Sequence, residues 1–433
     1  RRTRRGGIAV SDRPNIVLVT VDSLRADHCG FTGYEKDVTP TLDSMAKDGL
    51  VFENAIAPGP ATPESMPVVF TGQYPVERDG ADGSDLAARR ERIRQHMEAR
   101  DTLPEKLSRR GYRTAAFTPN PFTSRHFSFD QGFDHFQDFM DESNRSALYQ
   151  RVFQGFLEES SVSSMARVLL NLWQREEVFK PWESYYREAI EWVQSGEEPY
   201  FLWVFLMDAH NPYMSSAEYR TQSWLQEFRA NFEFWRQSHE TPFSPAIHDR
   251  LVTAYDDSIR YSDAFLERLL ADLGDDDLVV GVHGDHGEAF GEHGTYGHEP
   301  YLYDENVHVP LVFSGLDEQD VSSPISLRSI PEVLCRVADS REPVMDERAY
   351  AISKTRQGGR IGLYGQDWRY VTDGSNHELY RPRNGETVEL DDESLGNICS
   401  RLVQHQRTSG RETDTIAAVA GAVRESPIEM SQK

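Results

Sequence analysis

From Asn15 to Val21 the chain reads NIVLVTV, an unbroken apolar run rich in β-branched residues. A continuous run, rather than strict alternation, marks a strand buried on both faces of a parallel sheet. Comparable runs recur at 113–118 (RTAAFT), 201–207 (FLWVFLM), 278–283 (LVVGVH) and 308–314 (HVPLVFS). Helical periodicity fills the stretches between them. Thr39-Pro40 opens one helix and Gly49 closes it, and residues 102–111 predict a second. Leu251, Val252, Tyr255, Ile259, Leu266, Leu269, Leu270 and Leu273 fall at the spacing of one long amphipathic helix. Strands alternating with helices predict an α/β fold: a doubly wound, largely parallel sheet with helices on both faces.

Two stretches break that rhythm. Residues 141–198 contain no strand-like run and predict a helical insertion within a catalytic α/β domain spanning 13–321. Beyond it, at 322–408, short strand signals such as 360–364 and 368–372 alternate with Gly, Asp and Asn, which predicts a small α+β C-terminal subdomain. Residues 1–12 and 409–433 are polar and are expected to be flexible tails. The chain begins with Arg1 rather than Met, which leaves room for an upstream segment.

Charge narrows the function classes. Against 71 acidic residues stand 46 basic ones, giving a net charge of −25 over 433 residues. Lysine occurs only at Lys36, Lys47, Lys106, Lys180, Lys354 and Lys433. An acidic, lysine-poor surface is the expected adaptation of a halophile, because salt screens the self-repulsion; the alternative is an ordinary acidic protein. It also disfavours binding to a nucleic-acid backbone, which requires a basic surface. Cys29, Cys335 and Cys399 are odd in number and far apart, so they form neither a disulfide framework nor a zinc-finger spacing. No run approaches the roughly 18 apolar residues of a membrane span. The basic opening Arg1-Arg2-Thr3-Arg4-Arg5 lacks the apolar stretch of a secretion signal, so a cytoplasmic location is expected.

Ligands of open α/β sheets bind just past the carboxyl ends of the strands. The first strand ends at Asp22, FLWVFLM runs into Asp208-Ala209-His210, and LVVGVH delivers Asp285-His286 before the loop GEAFGEHGTYGHEP. Four of the fourteen histidines, His283, His286, His293 and His298, lie within this short stretch. Carboxylates and imidazoles gathered at one sheet edge are the donors of a divalent-metal site. Thr62-Pro63 opens a further helix, with Thr62 placed as an N-cap and Pro63 at the first helical position. A hydroxyl there faces free N–H groups and the positive end of the helix dipole, which favour an anion or a developing alkoxide. Thr-Pro at a helix start is more often a cap alone, so the case for a nucleophile rests on the neighbouring ligands.

The segments RPNIVLVTVDSLRADHCGFTGY, TPESMPVVFTGQYP, RGYRTAAFTPNPFTS, FDQGFDHFQDF, MDAHNPY, YDDSIRYSD, GDHGEAFGEHG and LYDENVHVPLVFSG follow one another along the chain. Each resembles, in the expected order, a block of the sulfatase family of the alkaline phosphatase superfamily. HELYRPRNGETVEL is similar to that family's C-terminal closing element. The resemblance covers roughly 13–407, apart from the helical insertion, and implies an alkaline-phosphatase-like fold. It also implies that Asp22, Asp285 and His286 are metal ligands, that Thr62 is the nucleophile and a further ligand, and that His210 and His298 contact the leaving group or the non-bridging oxygens.

The departures bear on chemistry. Sulfatases carry C/S-x-P-x-R, whose Cys or Ser becomes formylglycine, whereas this chain has Thr62-Pro63-Glu64-Ser65-Met66. Threonine cannot undergo that conversion, since its β-carbon bears a methyl group. Ser23 stands where the family keeps a second acidic ligand. The remaining set resembles the single-metal site of lipoteichoic acid synthases and phosphoethanolamine transferases, which form a phosphothreonine. The expectation is a metal-dependent hydrolase or transferase of phosphate or sulfate esters with one divalent ion (Mn, Zn, Mg or Ca). Its substrate would be a small-molecule or glycan anionic ester. The alternatives are a sulfatase independent of formylglycine and a non-catalytic anion- or glycan-binding relative. The pocket walls are assigned to the 79–101 loop and the helical insertion.

Overall fold

The computed structural model describes residues 13–75, 86–140, 180–236, 242–274, 277–298, 300–341, 349–356, 359–383 and 386–407. The expected tails and residues 141–179 of the expected insertion lie outside the described residues.

Eight strands build the main sheet: β1 (Asn15–Val21), β2 (Leu50–Phe52), β3 (Arg113–Phe117), β4 (His135–Gln137), β5 (Tyr200–Leu206), β6 (Leu278–Gly284), β7 (Leu311–Ser314) and β8 (Gln319–Val321). Their order is β8-β2-β7-β6-β1-β5-β3-β4. β1 lies at the centre, parallel to β5 (Ile16 beside Phe201) and to β6 (Asn15 beside Leu278). Of these eight, β7 alone runs against its neighbours, β6 and β2. The run predicted over 308–314 is therefore a shorter strand of opposite sense, and Pro310, which has no N–H to donate to a ladder, precedes it. The short strands β2, β4 and β8 carry too few residues for a pattern and were not anticipated.

Side chains of β1 alternate between two cores, as the strand period requires. Val17, Val19 and Val21 join one core, and Ile16 and Leu18 the other. The first is covered by α1 (Pro40–Lys47), by α5 (Glu183–Gln194) within the expected insertion, by α6 (Trp224–Arg236) and by the long α7 (Pro245–Leu273). The second is covered by α2 (Thr62–Thr71), α3 (Leu86–Glu98), α4 (Leu103–Ser108) and α8 (Ile330–Ser340). Helices on both faces are the predicted doubly wound arrangement. In α4 the start is fixed by a capping box, in which Thr102 and Glu105 satisfy each other's backbone N–H groups. The supposed 79–101 loop instead holds α3, whose mostly charged sequence hides the few apolar positions that anchor it.

A second sheet follows: β9 (Ala351–Lys354), β10 (Ile361–Tyr364), β11 (Arg369–Thr372), β12 (His377–Arg383) and β13 (Glu386–Glu389), all antiparallel, with a helix at 393–407. It is tied to the main domain where buried Arg369 donates to Asp304 at 2.7 Å and Tyr364 Oη donates to the Leu302 carbonyl. These bonds hold the loop that leads out of the candidate site. Among the described residues, no helix is long and apolar enough to cross a membrane.

Candidate active site

β1 and β6 are adjacent and parallel, so their carboxyl ends deliver Asp22 and Asp285-His286 side by side. One ligand atom from each of these three residues lies within 4.8 Å of the others, and all three are fully buried. Gly284 and Gly287 flank the Asp-His pair. A Cβ at either would fall 2.3 Å from the Leu24 carbonyl oxygen or 2.1 Å from that of Glu305, so only glycine admits this close packing.

The Asp285 carboxylate is oriented on both sides. Its Oδ1 accepts from the backbone N–H groups of Ser23 (3.1 Å) and His286 (2.9 Å), and its Oδ2 accepts from Thr62 Oγ at 2.7 Å. Ser23 reaches this position with a left-handed φ of 58°, an uncommon conformation for a side-chain-bearing residue and one that clusters at functional sites. Its hydroxyl donates to Asp22 Oδ1 at 3.0 Å, and Asn120 Nδ2 donates to Asp22 Oδ2 at 2.9 Å.

His286 donates its Nδ1–H to the Gly287 carbonyl at 2.9 Å, which leaves the Nε2 lone pair facing the carboxylates, 3.5 Å from Asp22 and 3.6 Å from Asp285. Burial lowers the pKa of this imidazole and so favours its neutral form. Burial, and then the neighbouring charge of Asp285, raises the Asp22 carboxyl well above its usual range. Two carboxylates and a bare ring nitrogen thus converge, three groups that mainly accept. Such a set is repulsive by itself and fits a divalent cation.

Thr62 differs in detail from expectation. It is the first residue of α2; Ala61 is the N-cap, and no side chain caps the helix. The hydroxyl points to Asp285 instead of back to the helix N–H groups, and its Oγ lies 3.4 Å from both His286 Nε2 and Asn120 Nδ2. Thr62 is therefore buried among the candidate ligands and does not serve as a cap.

Of the four clustered histidines, two reach this site. His298 lies over His286, with ring centroids 4.7 Å apart, and 5.6 Å from His210. His283 points into the sheet and is bonded to Thr20 and to the Gly284 carbonyl. His293 stacks flat on Tyr303 at 3.7 Å. His210 donates Nδ1–H to the Asn211 carbonyl, and burial, followed by the nearby His298, lowers its pKa to about 4. Sequence reasoning missed Asn120 and Glu288. Asn120 lies just past β3, where the strand-end rule could have found it. Glu288 carried no signal except its place in the Asp285 loop.

Comparison with known proteins settles the family. A sulfatase family model matches residues 14–324. The chain belongs to the sulfatase family. Among curated sulfatases, the ulvan-active sulfatase of Formosa agariphila is 23% identical over 358 residues, covering 76% of this chain and 63% of that protein. A second stretch of similarity to an ulvan-active sulfatase covers 14% of that protein, so each match spans less than two thirds of the relative's length. Solved structures superpose more widely. The phosphonate monoester hydrolase of Agrobacterium radiobacter has a TM-score of 0.62 at 16% identity, covering 93% of this chain and 96% of that one. BT4656, solved with its substrate D-glucosamine-2-N,6-O-disulfate, has a TM-score of 0.64 at 14% identity, covering 93% and 99%. The fold is that of the alkaline-phosphatase-like sulfatases.

Proposed function

We propose that this sulfatase-family protein is a metal-dependent hydrolase or transferase of phosphate or sulfate esters that acts through a covalent Thr62 intermediate. The observation that carries this reading is the 2.7 Å hydrogen bond from Thr62 Oγ to Asp285 within a buried set of cation-seeking groups. Asp22, Asp285, His286 and Thr62 would hold one divalent ion. Bound there, the ion supplies positive charge that favours the alkoxide form of the hydroxyl and polarises the substrate's oxygens.

The chain's own groups perform the rest. Asp285 Oδ2 lies in position to accept the hydroxyl proton as Thr62 attacks phosphorus or sulfur. Asn120 steadies both Asp22 and the attacking oxygen. His210 and His298 border the reacting group and serve its oxygens or its departing alcohol. Water or an acceptor alcohol then discharges the threonine ester. Both ester classes remain in the reading, because the chain shares its fold with a phosphonate monoester hydrolase and with a protein solved with a sulfated sugar. The net charge of −25 supports action in a saline setting, where salt screens the repulsion of an anionic small-molecule or glycan ester.

Incubation with slow phosphate and sulfate esters tests the reading. A phosphoryl or sulfuryl mass should appear on the peptide containing Thr62. Thr62→Asn, which keeps a donor for Asp285, should fold with a stability change within about 1 kcal/mol and lose turnover by about 10⁴-fold or more. Near-parental turnover in Thr62→Asn would remove Thr62 from the chemistry.

A further inference from the structure

Glu288 lies two residues past His286, outside the ligand set, and is 1% exposed. A buried carboxylate needs a donor or a cation to offset its lost hydration. The ring of His298 meets that need: Nδ1 lies 3.2 Å from Glu288 Oε1 and 3.3 Å from Oε2. The backbone at Glu288 is fixed as well. Arg25, itself buried, donates to the Glu288 carbonyl at 2.9 Å and is anchored by Asp27 and Glu292.

We infer that Glu288 is the positioning residue for His298. By holding Nδ1–H it turns Nε2 towards the ester, and the Glu288–His298 pair, rather than His210, serves the leaving oxygen. This rests on the ester-cleaving reading proposed above. In the step, the bond from phosphorus or sulfur to the leaving oxygen breaks and its electron pair stays on that oxygen. As Thr62 Oγ bonds to that phosphorus or sulfur and gives its proton to Asp285, His298, protonated on both ring nitrogens, passes its Nε2 proton to the leaving oxygen and keeps Nδ1–H on Glu288.

His210 is built differently. Its Nδ1 donates to a backbone carbonyl, so the neutral ring offers Nε2 only as an acceptor. A carbonyl orients an imidazole and favours its proton only modestly, whereas a carboxylate also offsets the charge of the imidazolium. The two rings lie 5.6 Å apart, and each holds its Nδ1–H on a different acceptor.

The test uses full-length protein and a series of esters that differ only in the leaving alcohol, from dinitrophenol to a simple alkanol. Glu288→Ala should lower kcat/KM on the alkyl ester by about 10²-fold, but by less than about tenfold on the dinitrophenyl ester, whose leaving group needs no proton. Glu288→Gln retains an acceptor for Nδ1–H and should recover much of the alkyl-ester loss. His298→Ala should show the same leaving-group dependence as Glu288→Ala. A loss that is uniform along the series in Glu288→Ala would overturn the assignment. A second readout does not depend on turnover: nitrogen–proton correlation spectra of the histidines should show His298 protonated at Nδ1 in the parent, with that signal shifted in Glu288→Ala. A parent His298 without a proton on Nδ1 overturns the pair. An inactive parent that shows the expected spectrum would count against the ester-cleaving reading and leave the positioning intact.

Discussion

The two halves of the candidate site are built on different principles. Asp22, Asp285 and His286 rise from the ends of adjacent central strands, and Thr62 from a helix start, with exposures of 4% or less. His210 and His298 come from loops, and the His298 side chain is 26% exposed. Strand ends are placed by a ladder of backbone bonds, whereas loop residues depend on a few side-chain contacts, here Glu288 and the Asn211 carbonyl. Under the proposed function, the buried half suits the task of holding a cation and a nucleophile. The looser half suits a leaving group that changes with the substrate.

That contrast can be broken most sharply at the strand ends. Asp285→Ala or His286→Ala should abolish metal uptake, measured by elemental analysis of the purified protein, and lower activity by about 10⁴-fold or more. Either variant binding parental amounts of metal would dismantle the rigid half. On the loop side the effect should be smaller: His210→Ala is expected to reduce kcat/KM by about 10- to 10²-fold while leaving metal content unchanged. A loss as large as that of the ligand variants would erase the distinction.

Asp208, two residues before His210, sharpens the contrast through pH. Burial, with Glu183 adding, pushes its carboxyl up from the usual 3.8 to about 8, and no cation offsets it among the described contacts. Because the folded pKa exceeds the unfolded one, the native state holds the extra proton. Its stabilising effect is complete at low pH and is lost as pH rises from about 4 towards 8. Asp208→Asn should therefore match the parent's melting temperature near pH 4, exceed it by a growing margin as pH rises towards 8, and keep that margin at higher pH. Parallel pH profiles for the two proteins would refute this. The smallest expected change is global: the melting temperature should rise by several degrees between low and molar salt as surface repulsion is screened. A flat response would remove the halophile expectation.

Legibility in the sequence followed the same division. Long apolar strands and the 29-residue α7 announced themselves by periodicity. Asp22, Asp285 and His286 were legible because strand ends can be read from where apolar runs stop. Glu288 was not, since its partner stands ten positions away on a loop whose path no pattern fixes. The Thr62 hydroxyl was misjudged for a related reason. A cap is a local rule, while its real partner, Asp285, lies 223 residues distant. Strand β7 read as one more buried strand because burial shapes composition and leaves direction unspecified.

One consequence concerns Asp285. Backbone N–H groups of Ser23 and His286 hold one oxygen, and the Gly287 carbonyl sets the neighbouring imidazole. None of these restraints requires the ion. In zinc fingers the metal assembles its own ligands, so binding and folding are one event. Here the backbone itself aims the groups proposed as ligands. An ion bound as proposed would gain affinity and selectivity from that order, and the fold would depend on it only through the mass-action effect of any bound ligand.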